Sequence, residues 1–169
     1  MALVQVATET VTSAVASVTL TGIDSDDVYM CAFNNVTLNT SGSGFYVRVT
    51  TSGTADSDSE YDIAYKVLRA DSSFGNTANA NGNLWDLTTQ YVATGVSNNG
   101  ILYLYNFNNS SEYSFITNET AFFWSGTNQL TGNQGGAVHT VSETNDGIHF
   151  VSDSGRTFES GTFTLYKVV

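Results

Sequence analysis

The chain has no proline, a single cysteine, and five basic residues against sixteen acidic ones. Each shortage excludes something. Without proline, every turn must be built by glycine, asparagine, aspartate or serine. With Cys31 alone, no internal disulfide can form. It sits in the apolar run Tyr29–Phe33 and reads as a small buried hydrophobe, far in sequence from the histidine and basic setting of a nucleophile. Arg48, Lys66, Arg69, Arg156 and Lys167 are scattered, no two adjacent, and the formal charge is −11. Phosphate backbones and anionic membranes are held by clustered Lys and Arg, so neither nucleic acid nor membrane is an expected partner. No window approaches the roughly 20 apolar residues of a membrane span. The opening MALVQVATETV lacks the basic segment and long apolar run of a secretory signal. The glycosylation patterns at Asn35, Asn39, Asn109 and Asn118 are what chance supplies in a chain this rich in Asn, Ser and Thr. Gly-x-Ser-x-Gly, a phosphate-cradling loop, Cys–His spacing and His-Glu-x-x-His are all missing. No enzymatic activity and no cofactor are expected.

What is present is apolar and uncharged polar. Hydrophobic residues make up 41% and charged ones only 12%, about half the usual share. That mix suits strands with polar, uncharged outer faces joined by tight turns. The organising stretch is Ser17 to Val36. Val18 and Leu20 alternate with Thr19 and Thr21, an acidic turn follows at Ile23–Asp27, and Val28 to Phe33 is apolar or aromatic on both faces. Strict alternation marks a half-buried strand, and its loss marks one covered on both sides.

The remaining chain continues in short strands. Phe45, Val47 and Val49 share one face of Phe45–Thr50, and Tyr61, Ile63, Tyr65 and Val67 alternate within Tyr61–Arg69. Residues 70–90 read as a long irregular loop carrying Leu84, Trp85 and Leu87. Further strands are expected at Gln90–Val96, Ile101–Phe107, Glu112–Ile116 and Thr120–Trp124. Turns are expected at Asn98–Gly100 and Asn108–Ser111, and a glycine- and amide-rich loop at Thr127–Gly136. A hairpin is expected over Ala137–Ser152, turning at Glu143–Asp146. A turn at Asp153–Gly155 and a strand at Gly161–Val169 close the chain. Turn signals every 8–12 residues without a helical pattern read as an all-β antiparallel β-sandwich of jelly-roll type. Residues 1–16 are expected as an N-terminal arm and 17–169 as one sandwich domain.

Several segments carry a resemblance. Thr19–Asp24 leading into Asp27–Met30, the strand Phe45–Val49, Ser52–Ala55 and the closing Ser160–Tyr166 resemble β-sandwich virion structural proteins of tailed bacteriophages, especially those of aquatic hosts. The resemblance covers both ends and the first third, and leaves Asp71–Gly136 unmatched. It implies a non-enzymatic protein of the capsid exterior or the tail, made in the host cytoplasm. A single short domain without heptads or a repetitive shaft favours a capsid decoration (cement) protein. Its partners would be the major capsid protein and further copies of itself, as a dimer or trimer. Leu3, Val4 and Val6 of the arm, with Leu84, Trp85 and Leu87 of the loop, are the interface candidates. Trp85 reads equally well as an interface anchor or a core residue.

Three constellations compete. Asp24, Asp26 and Asp27, and likewise Asp56, Asp58 and Glu60, form oxygen-rich turns of the kind that can hold Ca²⁺. The second lacks the glycine and distal glutamate of an EF-hand loop, and both read as solvated acidic turns. His139 and His149, across the expected hairpin, alternate to opposite faces, with His139 facing Phe150. Glu112 and Glu119 lie near Tyr113 and Trp124, the best place for a sugar site. A tail-fibre or lectin-like domain binding host-surface carbohydrate is therefore the alternative function. Tyr103, Tyr105, Phe107, Phe122, Phe123 and Trp124 read first as core and cross-strand pairs.

Overall fold

The computed structural model describes residues 2–153 and 155–169. Met1 of the expected arm and Ser154 of the expected Asp153–Gly155 turn lie outside them. In chain order the strands are β1 (Leu3–Val11), β2 (Ser17–Thr21), β3 (Tyr29–Leu38), β4 (Phe45–Thr51), β5 (Thr54–Ala55), β6 (Tyr61–Arg69), β7 (Phe74–Gly82), β8 (Trp85–Asp86), β9 (Asn98–Tyr105), β10 (Asn108–Trp124), β11 (Gln129–Thr144), β12 (Gly147–Ser152) and β13 (Phe158–Val168). They form an antiparallel sandwich. The larger sheet has eight strands in the order β1-β13-β3-β9-β10-β11-β6-β7, and the smaller has β2-β12-β4 with β5 and β8 both on β4. Strands from the two ends of the chain lie side by side, β1 and β3 on β13 and β2 on β12.

Alternation places the core. Phe45, Val47 and Val49 of β4 and Tyr61, Ile63, Tyr65 and Val67 of β6 are all buried, with more exposed residues between them. Phe33 of the large sheet meets Phe45 and Phe150 of the small one, with ring centroids 4.8 and 6.0 Å apart. β3 is central, and Tyr29, Met30 and Cys31 are buried in succession. Burial pushes the Cys31 thiol well above its ordinary range, so it stays protonated and inert. A bulge shapes the β3–β13 pairing, where Gly161 has φ +134°. A Cβ there would meet Val36 Cγ2 at 2.7 Å, so no other residue fits that approach.

The structure differs from the sequence expectations in five places. Residues 3–11, expected within an arm in which Leu3, Val4 and Val6 make a short strand, form the longer edge strand β1 paired to β13. Within 70–90, expected as a loop, Phe74–Gly82 forms β7 along β6, and Trp85–Asp86 pairs with β4. Gln90–Val96, expected as a strand, makes only isolated bridges at Val92. The expected turns at Asn98–Gly100 and Asn108–Ser111 and the loop at Thr127–Gly136 fall within β9, β10 and β11. Glycine is tolerated there because backbones approach closely: a Cβ on Gly135 would run into Ala64 O and Tyr65. Finally, Ala137–Ser142 and Gly147–Ser152 do not pair. β11 lies between β10 and β6, and β12 between β2 and β4. The chain crosses between sheets at Asn145–Asp146, where Asn145 N donates to Phe107 O and Asp146 N to Thr50 O.

Candidate binding face

A sandwich buries one face of each sheet, and the outer face of the large sheet carries more than solubilising residues. Register across β6, β11, β10, β9 and β3 lines up three ladders. The first is Lys66, Gln134, Glu119, Ile101 and Ala32. The second is Ala64, Gly136, Thr117, Tyr103 and Met30, continuing to Tyr166 on β13. The third is Asp62, Val138, Phe115 and Tyr105. Tyr103, Ile101 and Phe115 are 37%, 40% and 43% exposed. Small residues between them leave two shallow grooves. One of about 630 Å³ has Ala32, Gly100 and Ala121 among its lining with Tyr166 and Glu119. The other, about 580 Å³, is lined by Tyr103, Tyr105, Thr117, Glu119 and Gln134.

Polar groups on this face are positioned. Gln134 Nε2 donates to Glu119 Oε1 at 2.9 Å, which fixes a carboxylate and an amide side by side between the grooves. Lys66 Nζ donates to Asn76 Oδ1 at 3.1 Å further along the same ladder. Hydroxyl-rich ligands are recognised by such planar acceptor–donor pairs, while exposed tyrosine rings stack on the apolar face of a sugar ring. Glu119 belongs to this face. Trp124 does not: it lies under Arg69 (5.4 Å) and lines a separate cleft with Tyr46, Tyr91 and Asp86. Glu112 is held by Asn106 Nδ2 at 3.0 Å, and Tyr113 is 45% exposed. The aromatic residues expected as core divide: Phe107 and Phe122 are buried, while Tyr103 and Tyr105 line the grooves. Gln134, Lys66 and Phe115 escaped the sequence reading. Alternation of exposed odd positions in β10, from Phe115 to Ala121, places Phe115 on this face, whereas Gln134 and Lys66 reach it only through strand pairing.

The interface candidates do not form one surface. Leu3 and Val4 are 47% and 51% exposed on β1, and Val6 packs partly against the core. Leu84 is half-buried, whereas Trp85 and Leu87 are completely buried. Trp85 packs edge-on to Tyr61 at 5.3 Å, and its Nε1 donates to Val138 O at 3.1 Å. Trp85 and Leu87 are thus core residues, because a tryptophan with both ring contact and N–H partner inside a sandwich gains nothing from leaving it.

The acidic turn at Asp24–Asp27 has partners within the chain. Lys167 Nζ stands 2.7 Å from Asp27 Oδ2, and Tyr29 OH donates to Asp24 Oδ1 at 2.9 Å. The Tyr29 hydrogen bond holds the Asp24 carboxyl below its usual range, and Lys167 does the same for Asp27. The histidines lie in different sheets. His149 pairs with Thr19 and Arg48, and its Nδ1 is 2.8 Å from Thr19 Oγ1. Burial and the Arg48 charge push its pKa down. His139, expected beside Phe150, instead faces Ser114 and Tyr61 in register.

No family model matches the chain, and no curated protein matches it. Among solved structures it is similar to the CBM2 module of Lactobacillus casei BL23 phage J-1 evolved Dit, at 12% identity and a TM-score of 0.25, covering 90% of this chain and 69% of that one. A likeness this loose carries neither fold nor role across.

Proposed function

We propose that this chain is a non-enzymatic surface protein of a tailed-phage virion that recognises carbohydrate through the outer face of its large sheet. One observation carries the binding role: exposed Tyr103 lines a groove with a hydrogen-bonded Glu119–Gln134 pair, and exposed Phe115 extends the same sheet face, which the core does not use. Contiguous exposed apolar surface rimmed by polar groups marks a binding surface. The virion setting rests on the sequence resemblance at Thr19–Met30, Phe45–Val49 and Ser160–Tyr166.

Capsid decoration is the second reading, and β1 favours it. This edge strand exposes Leu3 and Val4, and a free edge can accept a strand from a neighbouring chain. Its partners would then be the major capsid protein and further copies of this chain, on the capsid exterior. Two measurements separate the readings. A glycan array probed with the wild-type chain and with Tyr103→Ala should show specific binding that the variant loses. If no glycan binds, and the chain saturates undecorated capsids at a fixed copy number while raising their disruption temperature, decoration replaces carbohydrate recognition.

A further inference from the structure

The connection from β5 to β6 and the end of β11 meet at one buried imidazole. His139 Nε2 stands 2.9 Å from Asp56 Oδ2 and 3.5 Å from Glu60 Oε2, and its Nδ1 stands 3.8 Å from Glu143 Oε1. The His139 side chain is 0% exposed, against 20%, 37% and 30% for the three carboxylates. One ligand atom from each of Asp56, His139 and Glu143 lies within 4.8 Å of the others.

We propose that Asp56, His139 and Glu143, closed by Glu60, form a binding site for a divalent transition-metal ion of the Zn²⁺ class. The site fastens the β5–β6 connection to the end of β11. It is independent of the carbohydrate reading and lies away from that face.

Four features support it. First, among the described residues His139 Nδ1 is buried without a hydrogen-bond partner and faces Glu143 Oε1 alone, at 3.8 Å, while Asp56 and Glu60 stand against Nε2 on the other side of the ring. Buried ring nitrogens are ordinarily satisfied, and an ion held on Nε2 fixes the tautomer that turns an Nδ1 N–H toward the Glu143 carboxylate. Second, the spacing suits a small cation. Bonds of about 2.0–2.2 Å in tetrahedral geometry place ligand atoms about 3.3 Å apart; Asp56 Oδ2 and Glu60 Oε2 stand 2.9 and 3.5 Å from Nε2, and a Glu143 oxygen lies within 4.8 Å of the Asp56 and His139 ligand atoms. Third, the donor set is mixed. Imidazole with carboxylates suits Zn²⁺ and its first-row neighbours, whereas Ca²⁺ and Mg²⁺ take oxygen shells.

Fourth, the ligands are held in place before any ion arrives. Asp56 N donates to Val49 O at 3.1 Å, and Tyr61 OH donates to Asp56 O at 3.0 Å. Asp58 N donates to Asp56 Oδ1 at 2.8 Å, which leaves Oδ2 to face the ring. Thr140 N and Oγ1 both donate to Glu60 O, at 2.8 and 3.0 Å. The Tyr61 ring packs 4.9 Å from the imidazole and fixes its plane. Outer partners of this kind orient metal ligands. The half-exposed carboxylates leave a route for entry.

The test uses the tag-free full chain, stripped by chelation and titrated with ZnCl₂ by calorimetry and thermal melting. CaCl₂ and MgCl₂ run in parallel. The expected result is one Zn²⁺ per chain by elemental analysis, a raised melting temperature with Zn²⁺, and no rise with Ca²⁺ or Mg²⁺. Asp56→Asn and Glu143→Gln, at partly exposed positions, should keep the far-ultraviolet spectrum and weaken Zn²⁺ binding by about tenfold or more. Asp58→Asn, whose side chain lies outside the cluster, should bind as wild type. Absence of Zn²⁺ uptake, equal affinity in both ligand variants, or equal stabilisation by Ca²⁺ would each overturn the site and leave His139 a hydrogen-bonded core residue.

Discussion

The two ends of the sandwich interior are built from different materials. In one, Phe33, Phe45, Phe150, Phe158 and Phe163 from both sheets pack ring to ring, with centroids 4.8 to 6.3 Å apart. In the other, β6, β10 and β11 present Tyr65, Asn118, Thr120, Thr131 and Asn133 to the interior, all buried. The material facing them explains the difference. The rings lie where strand faces strand, and each strand's backbone is satisfied within its own sheet. The polar layer lies beneath the segment after β8, whose carbonyls have no ladder to join. Leu87 O accepts from Thr120 Oγ1 at 3.1 Å and from Asn133 Nδ2 at 2.9 Å, and Thr89 Oγ1 donates to Asn133 Oδ1 at 3.1 Å. Strand residues opposite a loop must supply the donors that a second sheet would not need.

The largest expected effect is in the aromatic half. Phe163→Ala removes a ring that touches Phe45, Phe150 and Phe158 and should cost about 3–5 kcal/mol in urea unfolding. A loss below about 1 kcal/mol would mean that the two sheets are not held there by ring packing. The polar half should respond with the opposite sign. Among the described residues, both polar atoms of the buried Asn118 side chain and Tyr65 OH make no well-formed hydrogen bond, although the Tyr65 hydroxyl and the Asn118 amide are neighbours. Asn118→Leu should therefore stabilise by about 1–2 kcal/mol, since an unpaired buried amide carries its full desolvation cost. Destabilisation would show that the amide is satisfied in solution.

Asp86 offers a smaller effect with a definite pH dependence. Its Oδ1 accepts from Thr88 N and Thr89 N at 3.2 and 2.8 Å, yet burial dominates and raises its pKa above the ordinary 3.8. A carboxyl raised in the folded state contributes stability that is complete below its unfolded pKa and is lost as pH rises through the folded one. Asp86→Asn keeps an acceptor at Oδ1 and removes the charge. It should raise the melting temperature at pH 7 and lose that advantage as pH falls toward 3.8. A pH-independent difference between the two proteins would break the assignment.

The same contrast decides what the sequence disclosed. β4 and β13 were legible beside the apolar core, and so was β6 at the polar end, because all three alternate apolar with polar residues. The rest of the polar half was not. Thr131, Asn133 and Gly135 on the inner face of β11 look like loop residues, and Gly132 and Gly136 alongside them strengthen that reading. β11 thus reads as a loop through its first half, and its separation from β12 is hidden. The candidate face was legible only in fragments. Glu119 stood out as a carboxylate near aromatics, but its partner Gln134 and the rings of Tyr103 and Tyr105 reach it through pairings that no local spacing reveals. The His139 cluster joins residues 83 positions apart through a sheet crossover, so sequence shows only an acidic turn and a lone histidine.

The smallest folding effect belongs to the outer face, and it sharpens the comparison most. Phe115 and Phe163 are the same side chain on the same sheet, one 43% exposed and one fully buried. Phe115→Ala and Tyr103→Ala should change stability by no more than about 0.5 kcal/mol, as surface substitutions usually do. If the face binds sugar, the same variants should weaken glycan binding by about tenfold, or about 1.4 kcal/mol. Unfolding energies from denaturation and affinities from calorimetry, measured on one preparation, give both numbers. A Phe115→Ala variant that unfolds easily but binds normally would make the outer ring a folding residue, leaving the face without its proposed role. A variant that folds as wild type and loses binding would establish that this sheet uses one face to hold itself together and the other to hold something else.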